Sequence, residues 1–180
     1  DDAPMHDTLR ALKFIDDHAE QFQVQRENYA LLGYSSGGQI VGLIGSDDAK
    51  YGYKQLGVPA PAALLMAYPV NDFFEGKLAW SVLVDPGSLK PHYYWKNISD
   101  VVASDYPPTY FWCGKNDGIL FWLDWRRQAP KLEKALADAG ADYKVIYYDN
   151  ADHAIGVGNG TDAEGWLTDA VAFWKEHMHE

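Results

Sequence analysis

Asn28-Tyr29-Ala30-Leu31-Leu32-Gly33-Tyr34-Ser35-Ser36-Gly37-Gly38-Gln39-Ile40-Val41 decides the fold. An apolar run ends in Gly33-Tyr34-Ser35-Ser36-Gly37, which fits G-x-S-x-G, and small residues lead into an apolar helix. A serine at a sharp strand-to-helix turn is pushed into strained backbone, so its neighbours must be small. Gly33 and Gly37 are expected to supply that room, having no Cβ to collide across the turn. The backbone N–H of Ser36 would then open a helix, where orphan donors and the positive dipole end can hold a developing oxyanion. A Gly/Ser loop between two buried elements would give the same five letters; the strand before and the helix after are the context that the motif requires.

The same alternation runs outward from this stretch. Upstream, Leu9, Leu12, Phe14, Ile15, Ala19 and Phe22 recur at helical spacing and predict one amphipathic helix over residues 5–22, capped by Asp2 or Asp7. Residues 29–34 predict a buried strand and residues 36–46 the helix after it, with Gly42 and Gly45 allowing close packing on a sheet. Ala62 to Tyr68 is a second buried strand, closed by Pro69. Thr109 to Gly114 is a third, entered through the stiff Tyr106-Pro107-Pro108, and Tyr143 to Tyr148 is a fourth. Continuous apolar runs imply strands covered on both faces, hence a parallel sheet. Helices are expected over residues 121–139, with Pro130 in the first turns or kinking it and Gly140 just past its end, and over residues 162–178. Strands alternating with helices give an α/β fold of about four parallel strands flanked by helices, a single domain over residues 1–180. Residues 71–104, rich in aromatics (Phe73, Phe74, Trp80, Tyr93, Tyr94, Trp95), read as an insertion that walls a pocket or as an ordinary crossover with an ornate loop.

Composition narrows the class. The 180 residues suffice for one domain with a real core, able to bury about 70% of the unfolded surface. Apolar residues make up 47% and aromatics 14%, a globular composition. A net charge of −11 disfavours nucleic acid and anionic membrane as partners. A single cysteine, Cys113, leaves no internal disulfide. No run approaches a membrane span and no signal peptide is visible, which gives a cytoplasmic expectation. Asp1-Asp2-Ala3-Pro4 reads as the middle of something longer.

In parallel sheets, working residues gather beyond the carboxyl ends of the strands. Ser35 follows the first strand, Asp117 the third and His153 the fourth. A serine hydroxyl needs a nearby base, imidazole can supply it near neutral pH, and a carboxylate behind the imidazole fixes its tautomer. The order Ser, Asp, His is that of α/β-hydrolases. Gly33 to Gly38 resembles the nucleophile elbow of α/β-hydrolase esterases. Tyr106-Pro107-Pro108-Thr109 through Gly114-Lys115-Asn116-Asp117 is similar to the acid-bearing segment of their acetyl-esterase and lipase-like branch, and Asn150-Ala151-Asp152-His153-Ala154-Ile155-Gly156 to their histidine loop. The resemblance covers nearly the whole chain. It implies a carboxylesterase acting on small acyl esters through an acyl-enzyme, with no cofactor or metal: Ser35 as nucleophile, His153 as base, Asp117 as acid and Ser36 as one oxyanion donor. Tyr34, Tyr94 and Trp95 are the candidate substrate-lining residues.

The resemblance also implies a departure. Such enzymes carry early strands and a His-Gly-Gly type loop that gives a second oxyanion donor, and nothing of that kind precedes Ser35 here. By resemblance these residues are the C-terminal part of a hydrolase whose elbow strand exposes an edge, to be covered by a missing segment or by another copy. One missing oxyanion donor costs on the order of 10²–10³ in rate, so the chain alone is expected to be weakly active or inactive. The rivals are a prolyl-oligopeptidase-type serine peptidase and a non-catalytic binding module. Other residues have plainer readings beside functional ones: Asp149 and Asp152 as rival carboxylates, Asp72 as a fallback acid, His92 as pocket or surface, His177-Met178-His179 as a polar tail rather than metal ligands, and Cys113 as core packing. Asn97-Ile98-Ser99 and Asn159-Gly160-Thr161 match glycosylation sequons, which matter only in a secreted protein.

Overall fold

The computed structural model describes residues 2–71, 96–118 and 125–179. Four strands form the sheet: β1 (Ala30–Tyr34), β2 (Ala63–Ala67), β3 (Thr109–Gly114) and β4 (Tyr143–Tyr148). They lie in the order β1-β2-β3-β4, every pair parallel, with Tyr34 opposite Ala67, Ala67 opposite Trp112 and Gly114 opposite Tyr148. Both central strands are buried at every position, as their unbroken apolar sequence requires. The helices are α1 (Ala3–Asp17), α2 (Ala19–Phe22), α3 (Ser36–Ile44), α4 (Trp125–Ala139) and α5 (Trp166–Glu176).

Side chains alternate across a strand, so each strand feeds two cores. Ala63, Leu65, Ala67, Tyr110 and Trp112 point to one face and pack with Trp166, Ala170 and Phe173 of α5. Leu64, Met66, Phe111 and Cys113 point to the other and meet Val41 of α3 and Ala129, Leu132 and Leu136 of α4. Outside that layer, Met5 and Leu9 of α1 pack on Leu43 and Ile44 of α3. Gly45 does what the sequence asked of it, since a Cβ there would run into Leu64 of β2, whereas Gly42 makes room for Ile98, outside the sheet, whose Cδ1 would stand 2.7 Å from a Cβ.

The expected single helix over residues 5–22 is two. The helix is interrupted at His18 (φ −114°, ψ 19°), and the chain then folds back at Gln23 in the left-handed region (φ 55°), which lets Arg26 give buried Asp16 a two-pronged hydrogen bond (2.7 and 2.8 Å). The Arg26 guanidinium holds the Asp16 carboxyl below the usual carboxylate range. Asp2 sits at the start of α1 without a side-chain cap, and Pro4 opens the helix. Pro130 lies inside α4, which continues through it to Ala139. Gly140 adopts φ 69° and closes α4 with two hydrogen bonds, Gly140 N–H to Ala137 and Ala141 N–H to Leu136. The remaining elements differ from expectation by a few residues at their ends, where helices fray.

Along the described sheet β1 is an edge, and its Leu32 is 45% exposed. The aromatic stretch expected over residues 71–104 falls largely outside the described residues. Its two described ends are tied together: Asn71 accepts at its carbonyl from the Ile98 N–H (3.2 Å) and at Oδ1 from the Ser99 N–H (2.9 Å). The Asn71 N–H in turn donates to Gln128 Oε1 of α4 (3.0 Å), and both side chains are buried. No described helix is long and apolar enough to cross a membrane.

Candidate active site

The site starts from a steric fact at the end of β1. A Cβ at Gly33 would lie 2.5 Å from the Gly37 carbonyl carbon and 2.8 Å from Gly38 N, and closer still to the Gly37 oxygen. Only a glycine at 33 lets the first turn of α3 fold back so tightly. Between them Ser35 takes φ 54° and ψ −122°, sparsely populated ground for a residue with a side chain. Its backbone is bound on both sides, the N–H to the Ala67 carbonyl and the carbonyl to the N–H groups of Gly38 and Gln39. The other motif glycine behaves differently from expectation. A Cβ at Gly37 would meet nothing within 4 Å, whereas one at Gly38 would press on Pro69 Cβ at 2.9 Å. The second cramped position is therefore Gly38, where α3 passes the end of β2. Ser36 is the first residue of α3, whose opening N–H groups have no acceptor inside the helix.

Beyond β3, the turn Gly114-Lys115-Asn116-Asp117 approaches the loop after β4. Gly114 makes this possible, since a Cβ there would stand 2.6 Å from the Ala151 carbonyl carbon. Lys115 forms an ion pair with Asp149 across the two loops. Inside this contact the Asp117 side chain is fully buried, and its Oδ2 lies 2.7 Å from His153 Nδ1. His153 Nε2 lies 2.8 Å from Ser35 Oγ. With the carboxylate accepting the Nδ1 proton, Nε2 is left free to accept from the serine hydroxyl. The three side chains so joined are 118 positions apart at their extremes.

An aromatic platform carries the imidazole. Tyr68, just past β2 with φ 40°, places its ring 4.7 Å from that of His153. Trp112 packs edge-on against Tyr68 at 4.9 Å and lies 5.7 Å from Trp166. Trp166 Nε1 donates to the Gly156 carbonyl (2.9 Å), which pins the His153 loop from below. Burial and the nearby Asp117 carboxylate push the Tyr68 hydroxyl up, against the Gly156 N–H that it accepts. Sequence reading took Tyr68 only as the end of a strand. The one signal pointing to it was its place directly before Pro69, at the carboxyl end of β2.

Of the other candidates, Tyr34 is partly buried in this same cluster, 6.0 Å from Tyr68 and 5.8 Å from Trp166. Tyr94, Trp95, His92 and Asp72 lie outside the described residues. Asp149 faces Lys115, and Asp152 Oδ1 accepts from the backbone of Gly118 and His153; neither is the carboxylate on the imidazole. Cys113 is buried, and burial with the Asp117 carboxylate pushes its thiol up, away from nucleophilic use. His177 bonds Asp142, and no cluster of three metal-ligating side chains occurs among the described residues.

The sequence pattern of the prolyl oligopeptidase family matches residues 2–180. The chain belongs to that family. No curated protein is found as a sequence relative. Solved structures share the fold at low identity. A carboxylesterase from Lactobacillus plantarum is 17% identical with a TM-score of 0.74, over 98% of this chain and 69% of its own. An acetyl ester-xyloside bifunctional hydrolase from Caldicellulosiruptor lactoaceticus is 19% identical with a TM-score of 0.72, over 97% and 65%. A sugar hydrolase from Lactococcus lactis is 19% identical with a TM-score of 0.71, over 96% and 67%. The chain thus spans about two thirds of the length of these structures. The α/β-hydrolase resemblance read from the sequence holds, and this is a member of a hydrolase family. The family pattern carries the name of the rival peptidase chemistry, while the neighbours just named are esterases and sugar hydrolases.

Proposed function

We propose that this chain carries the catalytic machinery of a serine hydrolase that cleaves small acyl esters through an acyl-enzyme on Ser35. One observation supports it above the rest: the unbroken hydrogen-bond chain from Asp117 through His153 to Ser35, at 2.7 and 2.8 Å. In this reading Ser35 Oγ attacks the ester carbonyl while His153 Nε2 takes its proton. Asp117 holds the imidazole in place and steadies the imidazolium. The carbonyl oxygen becomes an oxyanion beside the Ser36 N–H at the head of α3, a donor worth on the order of 10²–10³ in rate. Collapse expels the alcohol, which receives the proton from His153. A water then gives its proton to the same imidazole, attacks the acyl carbon and frees the acid and Ser35. Every proton in the cycle passes through one nitrogen, so neither metal nor cofactor is called upon.

A second reading, hydrolysis of a peptide bond after proline, is favoured by the family to which the chain belongs. The same side chains would serve it, with an amine in place of the alcohol. The test uses the full-length protein with a fluorophosphonate probe, p-nitrophenyl acetate and a prolyl p-nitroanilide. The esterase reading expects labelling at Ser35, lost in Ser35→Ala, and faster turnover of the acetate. Faster cleavage of the prolyl amide would transfer the assignment to the peptidase. Absence of labelling, with the protein folded, would make this a binding module.

A further inference from the structure

The hydrogen-bond chain spans two loops that no strand pairing holds in register, and the structure contains a device at their meeting point. Asp152 Oδ1 accepts the N–H of Gly118 at 3.1 Å and the N–H of His153 at 2.7 Å. Gly118 directly follows Asp117, and His153 directly follows Asp152. One carboxylate oxygen therefore bridges the backbone beside the acid to the backbone beside the base. From this we infer that Asp152 is a positioning residue, a clasp that fixes the distance between the Asp117 carboxylate and the His153 imidazole. The inference rests on the serine hydrolase reading for its catalytic consequence, but the clasp itself is a matter of geometry.

The carboxylate faces solvent, unlike Asp117, so packing does not explain its place. Burial of the two loops against each other is handled elsewhere, by Gly114 against Ala151. The loops have a second tie in the ion pair of Lys115 with Asp149, whose side chains are 47% and 71% exposed. Such an exposed pair holds little and fades with salt. Hydrogen bonds from backbone N–H groups to an ionised oxygen are about twice as strong as neutral ones and directional. They also hold the Asp152 carboxyl below its usual range, so the clasp stays ionised wherever the imidazole can work as a base. A displacement of about 1 Å at a reacting group can cost on the order of 10² in rate, which is the slip that this clasp prevents.

The decisive comparison sets Asp152→Asn against Asp152→Glu in the full chain, with Asp152→Ala as the deletion and Asp149→Ala as the control. Asn keeps an oxygen at the same reach and drops the charge; Glu keeps the charge and moves the oxygen. Two readouts are taken: kcat and KM on p-nitrophenyl acetate, and the low-field proton resonance of His153 Nδ1–H, assigned by its loss in His153→Ala. The clasp expects Ala and Glu to lower kcat by about tenfold or more with KM little changed, and to shift or broaden the resonance. Asn, which keeps the oxygen's reach but gives up the charge assistance, should retain more of kcat and of the native resonance than Ala or Glu, and Asp149→Ala should alter neither. Asp152→Ala with an unmoved resonance and an unchanged kcat would overturn the inference, as would Asn failing where Glu succeeds. Should the full-length wild type turn over no ester, the function proposed above fails while the resonance still decides the clasp. Should Asp152→Ala fold poorly, the Asn and Glu pair decides alone.

Discussion

The two glycines of G-x-S-x-G should respond to alanine with opposite signs. At Gly33 the new methyl would lie 2.5 Å from the Gly37 carbonyl carbon and 2.8 Å from Gly38 N, all of it backbone. Carbon contacts are comfortable near 3.5–4.0 Å, so about 1 Å of overlap must be relieved. No side-chain rotation can relieve it; β1 and α3 must part, and overpacking of that kind costs about 1–3 kcal/mol. At Gly37 the methyl meets nothing within 4 Å. Gly37 lies inside α3, and exchanging Gly for Ala in a helix interior gains up to about 1 kcal/mol, less in a first turn. The expected difference between Gly33→Ala and Gly37→Ala is therefore about 1–4 kcal/mol, several degrees in melting temperature for a domain of this size. Urea denaturation of wild type and both variants measures it directly. Equal destabilisation by the two substitutions would refute the reasoning, because it would mean that the elbow is cramped on both sides. A neutral Gly33→Ala would refute it more severely, removing the steric reason for the turn.

Two further outcomes test the strain and the electrostatics. Ser35 at φ 54°, ψ −122° stores about 1–3 kcal/mol, which glycine relieves and alanine does not; after the extra freedom glycine gives the unfolded chain, Ser35→Gly should be about 1 kcal/mol more stable than Ser35→Ala, and a Gly variant weaker than the Ala variant in urea would contradict this. Burial alone would push His177 down, but the Asp142 carboxylate at 2.8 Å and the Phe173 carbonyl outweigh it and raise it. Its contribution is then complete below the unfolded value of about 6.5 and is lost as pH rises through the higher native value. Wild type should exceed His177→Gln by no more than about 0.5 kcal/mol once solvent screening is allowed for, most below the unfolded value, with the gap closing as pH rises through the native one; a gap that widens with pH would reverse the assignment.

What sequence could reveal here was whatever is written in a local pattern. The interior strands β2 and β3 are continuous apolar runs because both faces are covered, and they read as such. The Ser, Asp and His positions were legible because each follows a strand, and a parallel sheet brings such positions to one rim. The break at His18 was not legible: no Gly or Pro marks it, and the Arg26–Asp16 contact beside it joins residues ten apart. Periodicity sees only the apolar stripe, which runs on unbroken to Phe22. The exchange of Gly37 for Gly38 as the cramped position was hidden for a similar reason, since what crowds Gly38 is Pro69 at the end of another strand. Tyr68 and Asp152 work through ring contact and backbone hydrogen bonds, for which the place of Tyr68 before Pro69 is the one sequence sign.

The strand order sets a demand on the loop that carries His153. Ser35 follows β1 and His153 follows β4, at opposite edges of the described sheet. Neighbouring strands lie about 4.8 Å apart, so about 14 Å separates the two strand ends. Between Tyr148, the last residue of β4, and His153 there are five steps of chain, which extended would cover about 16–18 Å. The backbone does not have to span all of that separation, because the imidazole and the serine side chain cover the last strand spacing, and the loop bends at Asp149 and Asn150 before it passes the end of β3 at Ala151. Three groups lie along its course. Gly114, at the end of β3, has no side chain to block the crossing at Ala151. Asp117, beyond it, catches the imidazole from the β3 side. Tyr68, at the end of β2, supplies the ring on which the imidazole rests one strand short of Ser35. A loop with bends in its course does not by itself set the spacing of the acid-side and base-side backbones, and that is the task of a tie such as Asp152 where they pass.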